Sequence, residues 1–136
     1  MSDIANGAGM TNIDVVSGSE AVFVGSYETG KIDIKDMNDI GTGEGVDKYS
    51  TFSHEMAEQR YKQSNPNSTS YTMAHNTAGI PAEEKVAGYK RADMPSTSPN
   101  HIYVKFSKYS TDYKTNKIVN VHIEINKNNV VKIERK

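Results

Sequence analysis

His54, Glu55 and Glu58 fall in the run Phe52-Ser53-His54-Glu55-Met56-Ala57-Glu58-Gln59, a His-Glu-x-x-Glu pattern. On a helix, residues four apart lie one turn above each other on the same face, so His54 and Glu58 can grip one metal ion. Glu55 is rotated by about 100° from His54, which lets its carboxylate act as general base toward a metal-bound water. One substitution separates the run from the His-Glu-x-x-His pattern, in which two histidines on one helix face bind zinc and the glutamate serves as general base. Glu58 stands where the second histidine would be.

A zinc site with an open position needs three protein ligands, so a third must come from outside this helix. His75, Glu83 and Glu84 lie downstream, His75 17 residues and Glu83 25 residues beyond Glu58. Imidazole is the softer ligand, and a set of two nitrogens and one carboxylate favours His75, with Glu83 then orienting a ligand from behind. Both stay open at this point. The chain has no cysteine, which excludes thiolate zinc sites, disulfides and thiol nucleophiles. A plainer reading makes His54 a hydrogen-bonded structural histidine and pairs Glu58 with Lys62 at i+4 on the surface.

These residues need elements to position them. Ile13, Val15 and Val16, then Ala21 to Val24, are β-prone runs split by Ser17-Gly18-Ser19. Ile32 and Ile34 alternate with Lys31, Asp33 and Lys35 as in a half-buried strand after the turn Glu28-Thr29-Gly30, which predicts short antiparallel strands at the N-terminal end. Asp39 to Gly45 reads as a glycine-rich loop leading into a helix over about residues 49–63, capped by Ser50 or Thr51. Asn65-Pro66-Asn67-Ser68 ends it, and a second helical stretch runs from Tyr71 to Arg91. Pro81 would kink that stretch or start a new segment in its first turn, and Ala82, Val86 and Tyr89 form an expected buried stripe. Met94 to Pro99 reads as a loop. Ile102 to Phe106 is an expected strand, and Val119, Val121, Ile123 and Ile125 alternate with Asn120, His122 and Glu124. Asn126 to Asn129 then turns the chain into Val130 to Ile133 as a hairpin, with His122 solvated on the polar side. Strands, then helices, then strands make an α+β fold. Residues 1–11, small and polar, read as a flexible arm before one domain over 12–136.

Composition narrows the function classes. At 136 residues the chain suits one modest core. It carries no apolar run of membrane-spanning length and no signal-peptide pattern at Met1 to Gly7, so an exported form would take its signal from elsewhere, such as a larger parent polypeptide. The net charge of −1 hides a gradient. Residues 1–50 hold nine acids and three lysines, and residues 101–136 hold eight bases and three acids. The two ends can pack together, or the basic end can touch nucleic acid. Asp36 to Asp47 has a faint calcium-loop spacing, but Ile40 falls where an oxygen ligand belongs, so an acidic turn accounts for it.

The same residues carry a resemblance. The order of β-prone segment, glycine-rich approach, Ser53-His54-Glu55-Met56-Ala57-Glu58-Gln59 and Ala82-Glu83-Glu84-Lys85-Val86-Ala87-Gly88-Tyr89-Lys90-Arg91 is similar to zinc-peptidase-like effector and toxin domains. Such domains end Rhs-type and other bacterial polymorphic toxins, and the resemblance spans about residues 31–95. In them a His-Glu-Leu-x-His-Ala helix precedes a glutamate-bearing helix that ends in a glycine and an arginine. Glu58-Gln59 here replaces the usual His-Ala pair. The resemblance implies a Zn2+-dependent hydrolase with His54 as ligand and Glu55 as base. It further implies a protein or peptide substrate, delivery to a target cell as part of a larger secreted protein, and a cognate immunity protein as partner. In glutamate-type zinc peptidases the third ligand is a later glutamate about two dozen residues on, a spacing Glu83 meets. Two other readings compete: a small toxin nuclease using His54 and His75 as acid and base with the basic C-terminal region on phosphates, and a non-catalytic interaction module.

Overall fold

The structure, a computed structural model, describes residues 11–67, 69–92 and 96–136. Residues 1–10 of the expected arm, with Met94 and Pro95 of the expected loop, lie outside them. The elements run β1 (Asp14–Val16), β2 (Lys31–Asp33), α1 (Ile34–Ile40), α2 (Lys48–Ser64), α3 (Tyr71–Ala74), a π-helical segment (His75–Gly79) and α4 (Ile80–Ala87). They continue through β3 (Lys90–Arg91), β4 (Ser96–Ser98), β5 (His101–Tyr109), β6 (Asn116–Asn126) and β7 (Asn129–Arg135). This is an α+β fold.

The C-terminal strands make the floor. β5, β6 and β7 form an antiparallel meander, while β3 and β4 both pair with β5, at its end near Phe106 and its beginning near His101. The period-two pattern of β6 sets its inner face: Val119, Val121 and Ile123 are 4, 2 and 7% exposed. With Phe106 and Val130 they meet Val24, Ile32, Met37, Ile40, Val46 and Met56 in one core between the sheet and the helices. The β6–β7 hairpin turns through Lys127 and Asn128, both at positive φ (51° and 63°), the geometry of a two-residue turn matched to strand twist.

The N-terminal part departs from expectation. β1 and β2 pair in parallel, not antiparallel, with a lone antiparallel bridge between Gly25 and Ile32. The physical reason is the long connection over residues 17–30, which carries the chain back to the same end instead of reversing it as a hairpin would. Nor does the strand continue through Ile34. The Asp33 carboxylate accepts hydrogen bonds from the backbone N–H groups of Lys35 and Asp36, so a helix starts at Ile34. Asp36 to Ile40 is therefore helix, neither acidic turn nor loop, and Asp36 is buried with Oδ2 accepting from Val24 N at 2.9 Å.

α2 agrees with its expected span within a residue at each end, but its cap is Asp47. Asp47 accepts from Ser50 N at 2.8 Å while Ser50 Oγ accepts from Asp47 N at 2.9 Å, a reciprocal capping box. The second helical stretch is broken into α3, the π-helical segment and α4, with Pro81 in the first turn of α4. The expected stripe fails at Val86, which is 47% exposed. α4 ends at Ala87, and the residue it buries is Glu83. Ser96 to Ser98 is strand, not loop, because β5 offers it an open edge. His122 is not simply solvated: it stacks on Tyr103 and its Nε2 lies 2.9 Å from His101 Nδ1.

Candidate metal centre

α2 supplies His54, Glu55 and Glu58. The helix packs its polar residues inward: His54, Glu58 and Gln59 are buried among its buried positions, and Glu55 is half-buried. Gln59 and Lys62 hold the helix against the preceding loop, Gln59 Nε2 donating to Tyr27 O at 3.0 Å and Lys62 Nζ to the same oxygen at 2.6 Å. Lys62 is thus engaged with backbone carbonyls, and the surface pairing of Glu58 with Lys62 does not form.

Glu58 turns inward instead. Its Oε2 lies 2.6 Å from His54 Nε2 and 2.8 Å from His75 Nδ1, and the two ring nitrogens are 3.1 Å apart. Three ligand atoms of the right chemistry therefore form one small triangle, a group that could hold a metal ion. Tetrahedral zinc with bonds of ~2.0 Å spaces its ligand atoms by roughly 3.3 Å. The triangle's sides would lengthen by about 0.2 to 0.7 Å to admit an ion, within reach of side-chain torsions. Two nitrogens and one carboxylate oxygen make a donor set suited to zinc.

His75 reaches the triangle because the chain winds wider there. It opens the π-helical segment His75–Gly79, and Gly79 closes it. A Cβ on Gly79 would lie 2.8 Å from Glu58 Oε2 and 2.9 Å from His54 Nε2, so any side chain there would have to displace these two groups. Wider turns of this kind recur at functional sites, where they re-aim side chains.

Glu83 stands behind His54, not in the triangle. His54 Nδ1 donates to Glu83 Oε1 at 3.1 Å, and Arg91 forks the same carboxylate through Nε (2.8 Å) and Nη2 (2.7 Å). That leaves His54 Nε2 facing Glu58 and His75, the arrangement in which a carboxylate fixes the tautomer of a ligating imidazole. Burial would depress the His54 pKa, but its bonds to Glu58 and Glu83 outweigh this and raise it to about 9. Burial would likewise raise Glu83, yet the Arg91 fork and His54 hold it down at about 2. Glu58, against burial, is held low by its bonds to His54 and His75.

Glu55 is the exception. Its carboxyl has no hydrogen-bond partner among the described residues, and burial, opposed by His54, pushes it up to about 7. Gly25 makes room for it: a Cβ there would fall 2.7 Å from Glu55 Cδ. Tyr71 completes the rim, its ring stacked on His75 and its hydroxyl 3.3 Å from His75 Nδ1. Gly25, Tyr71 and Gly79 carry no motif that marks them, and the resemblance pointed to Arg91 only as the end of a helix.

Comparison with protein-family models, curated proteins and solved structures gave no match. Among the described residues no helix is long and apolar enough to cross a membrane.

Proposed function

We propose that this protein is a metal-dependent hydrolase that cleaves a peptide or amide bond, with zinc held by His54, Glu58 and His75. The observation that carries the reading is the triangle of Glu58 Oε2, His54 Nε2 and His75 Nδ1, sharing its pocket with a Glu55 carboxyl that has no hydrogen-bond partner among the described residues. A zinc ion there would act as a Lewis acid on the scissile carbonyl and make water more acidic. Glu55 takes a proton from the attacking water as the new C–O bond forms, then gives it to the leaving nitrogen as the C–N bond breaks. Glu83, pinned by Arg91, keeps the proton on His54 Nδ1 and so keeps Nε2 turned toward the triangle. A nuclease built on the two imidazoles is the poorer fit, because Glu55, Glu58 and Glu83 crowd the place a phosphodiester would occupy.

The resemblance to polymorphic-toxin domains supports placing this hydrolase in a larger delivered protein that is restrained by an immunity partner. Growth arrest on expression, relieved in a Glu55→Gln variant, tests that part.

Metal analysis tests the core of the reading. Purified protein should hold one zinc per chain, lost in His54→Ala and in Glu58→Gln. Glu55→Gln should keep the zinc and lose at least 100-fold in amide hydrolysis. A native protein that takes up no zinc would overturn the proposal.

A further inference from the structure

The metal cluster lines one end of a cavity of about 320 Å³ whose remaining walls are largely apolar. Ile40, Val46, Phe106, Val121 and Ile123 line it, and each is buried in the core. An apolar void of ~150 Å³ already admits benzene, and this one is about twice that size. Its charged groups gather at the cluster, Arg91 included, while β5 and β6 present hydrocarbon to it. An apolar pocket with a few convergent polar groups is the usual division of labour in a small-molecule site.

We infer that this cavity is the specificity pocket of the centre and takes one large apolar side chain, aromatic or branched aliphatic, of the amide substrate. The amide part rests on the hydrolase reading, whereas occupation of the cavity stands without it. A charged side chain would lose its water against the walls from β5 and β6 and find no partner there. A hydrogen or methyl would leave the walls without contacts. An aromatic or leucine-sized group satisfies both conditions and sets the adjoining carbonyl beside Glu55 and the triangle.

Methyl-detected NMR of the full chain, with and without zinc, tests this directly. The titrants are N-acetylphenylalaninamide, N-acetylleucinamide and N-acetylglycinamide. The methyls of Ile40, Val104, Val121 and Ile123 should shift, and the phenylalanine and leucine amides should bind at least tenfold more tightly than the glycine amide. Val104→Phe, which fills the cavity from β5, should abolish that preference while zinc uptake persists. If the variant does not fold, the wild-type series decides alone. Equal affinity for the three amides, or shifts confined to other methyls, would overturn the inference. Apolar preference in a protein that binds no zinc keeps the pocket and removes the hydrolase reading. Zinc binding without the preference does the reverse.

Discussion

At the scale of single residues, the centre depends on atoms that are not ligands. Gly79 is the sharpest case. The atoms a Cβ would strike are Glu58 Cγ and Oε2 and the His54 ring, all side-chain atoms with no backbone among them. Gly79→Ala should therefore fold and push the ligands apart. We expect zinc affinity to fall at least tenfold, read by competition with a chelating dye, with the circular dichroism spectrum unchanged. Glu83 acts from the other side of His54. Glu83→Gln keeps the shape but weakens both the hold on His54 Nδ1 and the fork with Arg91. Loss of such an outer partner costs metal sites about 10–100-fold in affinity, and the same competition assay should return a value in that range. Should Glu83→Gln abolish binding as completely as His54→Ala, Glu83 would be a ligand itself and the geometry behind His54 misread.

Among the elements, α2 and the C-terminal strands were legible because local signals agreed with tertiary demands. The alternation Val119, Val121, Ile123 has one physical solution, and the i, i+4 spacing of His54 and Glu58 holds on any helix. What escaped were choices made between competing local options. Ser50 and Thr51 are good caps, but Asp47 offers a stronger acceptor and recruits Ser50 as its partner. Ile32 and Ile34 look like strand, but Asp33 between them caps a helix. The π-helical turn over His75–Gly79, which lays Gly79 against Glu58, follows no periodicity that the local sequence displays. Asp47→Ala should cost about 1 kcal/mol, or about 4 °C of melting temperature, without altering zinc stoichiometry. Buried Asp36 makes a pH prediction. Burial raises its pKa above the ordinary 3.8, so the folded state binds its proton more tightly than the unfolded chain does. The stability it lends is full below about pH 3.8 and is lost as pH climbs through the raised value. An amide retains an acceptor for Val24 N, so Asp36→Asn should show a smaller fall in the urea midpoint across that window. An unchanged pH slope would mean the carboxyl is solvated.

Across the whole molecule, the acidic N-terminal part and the basic C-terminal strands touch. Glu44 pairs with Lys117, and Arg135 Nη2 donates to Ile40 O at 2.8 Å and Val46 O at 3.0 Å. The exposed pair adds little stability, but Arg135 ties β7 to the loop that leads into α2. The centre is a second tie of this kind, since it joins α2 to the π-helical segment and, through Glu83 and Arg91, to the edge of the sheet. An ion that binds only the folded chain adds RT ln(1 + [zinc]/Kd), about 2.7 kcal/mol at a free concentration one hundred times Kd. That should raise the melting temperature by roughly 10 °C. Glu55→Gln should keep the full rise, because Glu55 lies outside the triangle. His75→Ala should lose most of it, since the remaining pair on α2 no longer links two segments. The pair of His101 and His122 on the sheet is the obvious rival for added zinc. A rise of equal size in a His54→Ala, His75→Ala double variant would place the ion there and dissolve the argument for the centre.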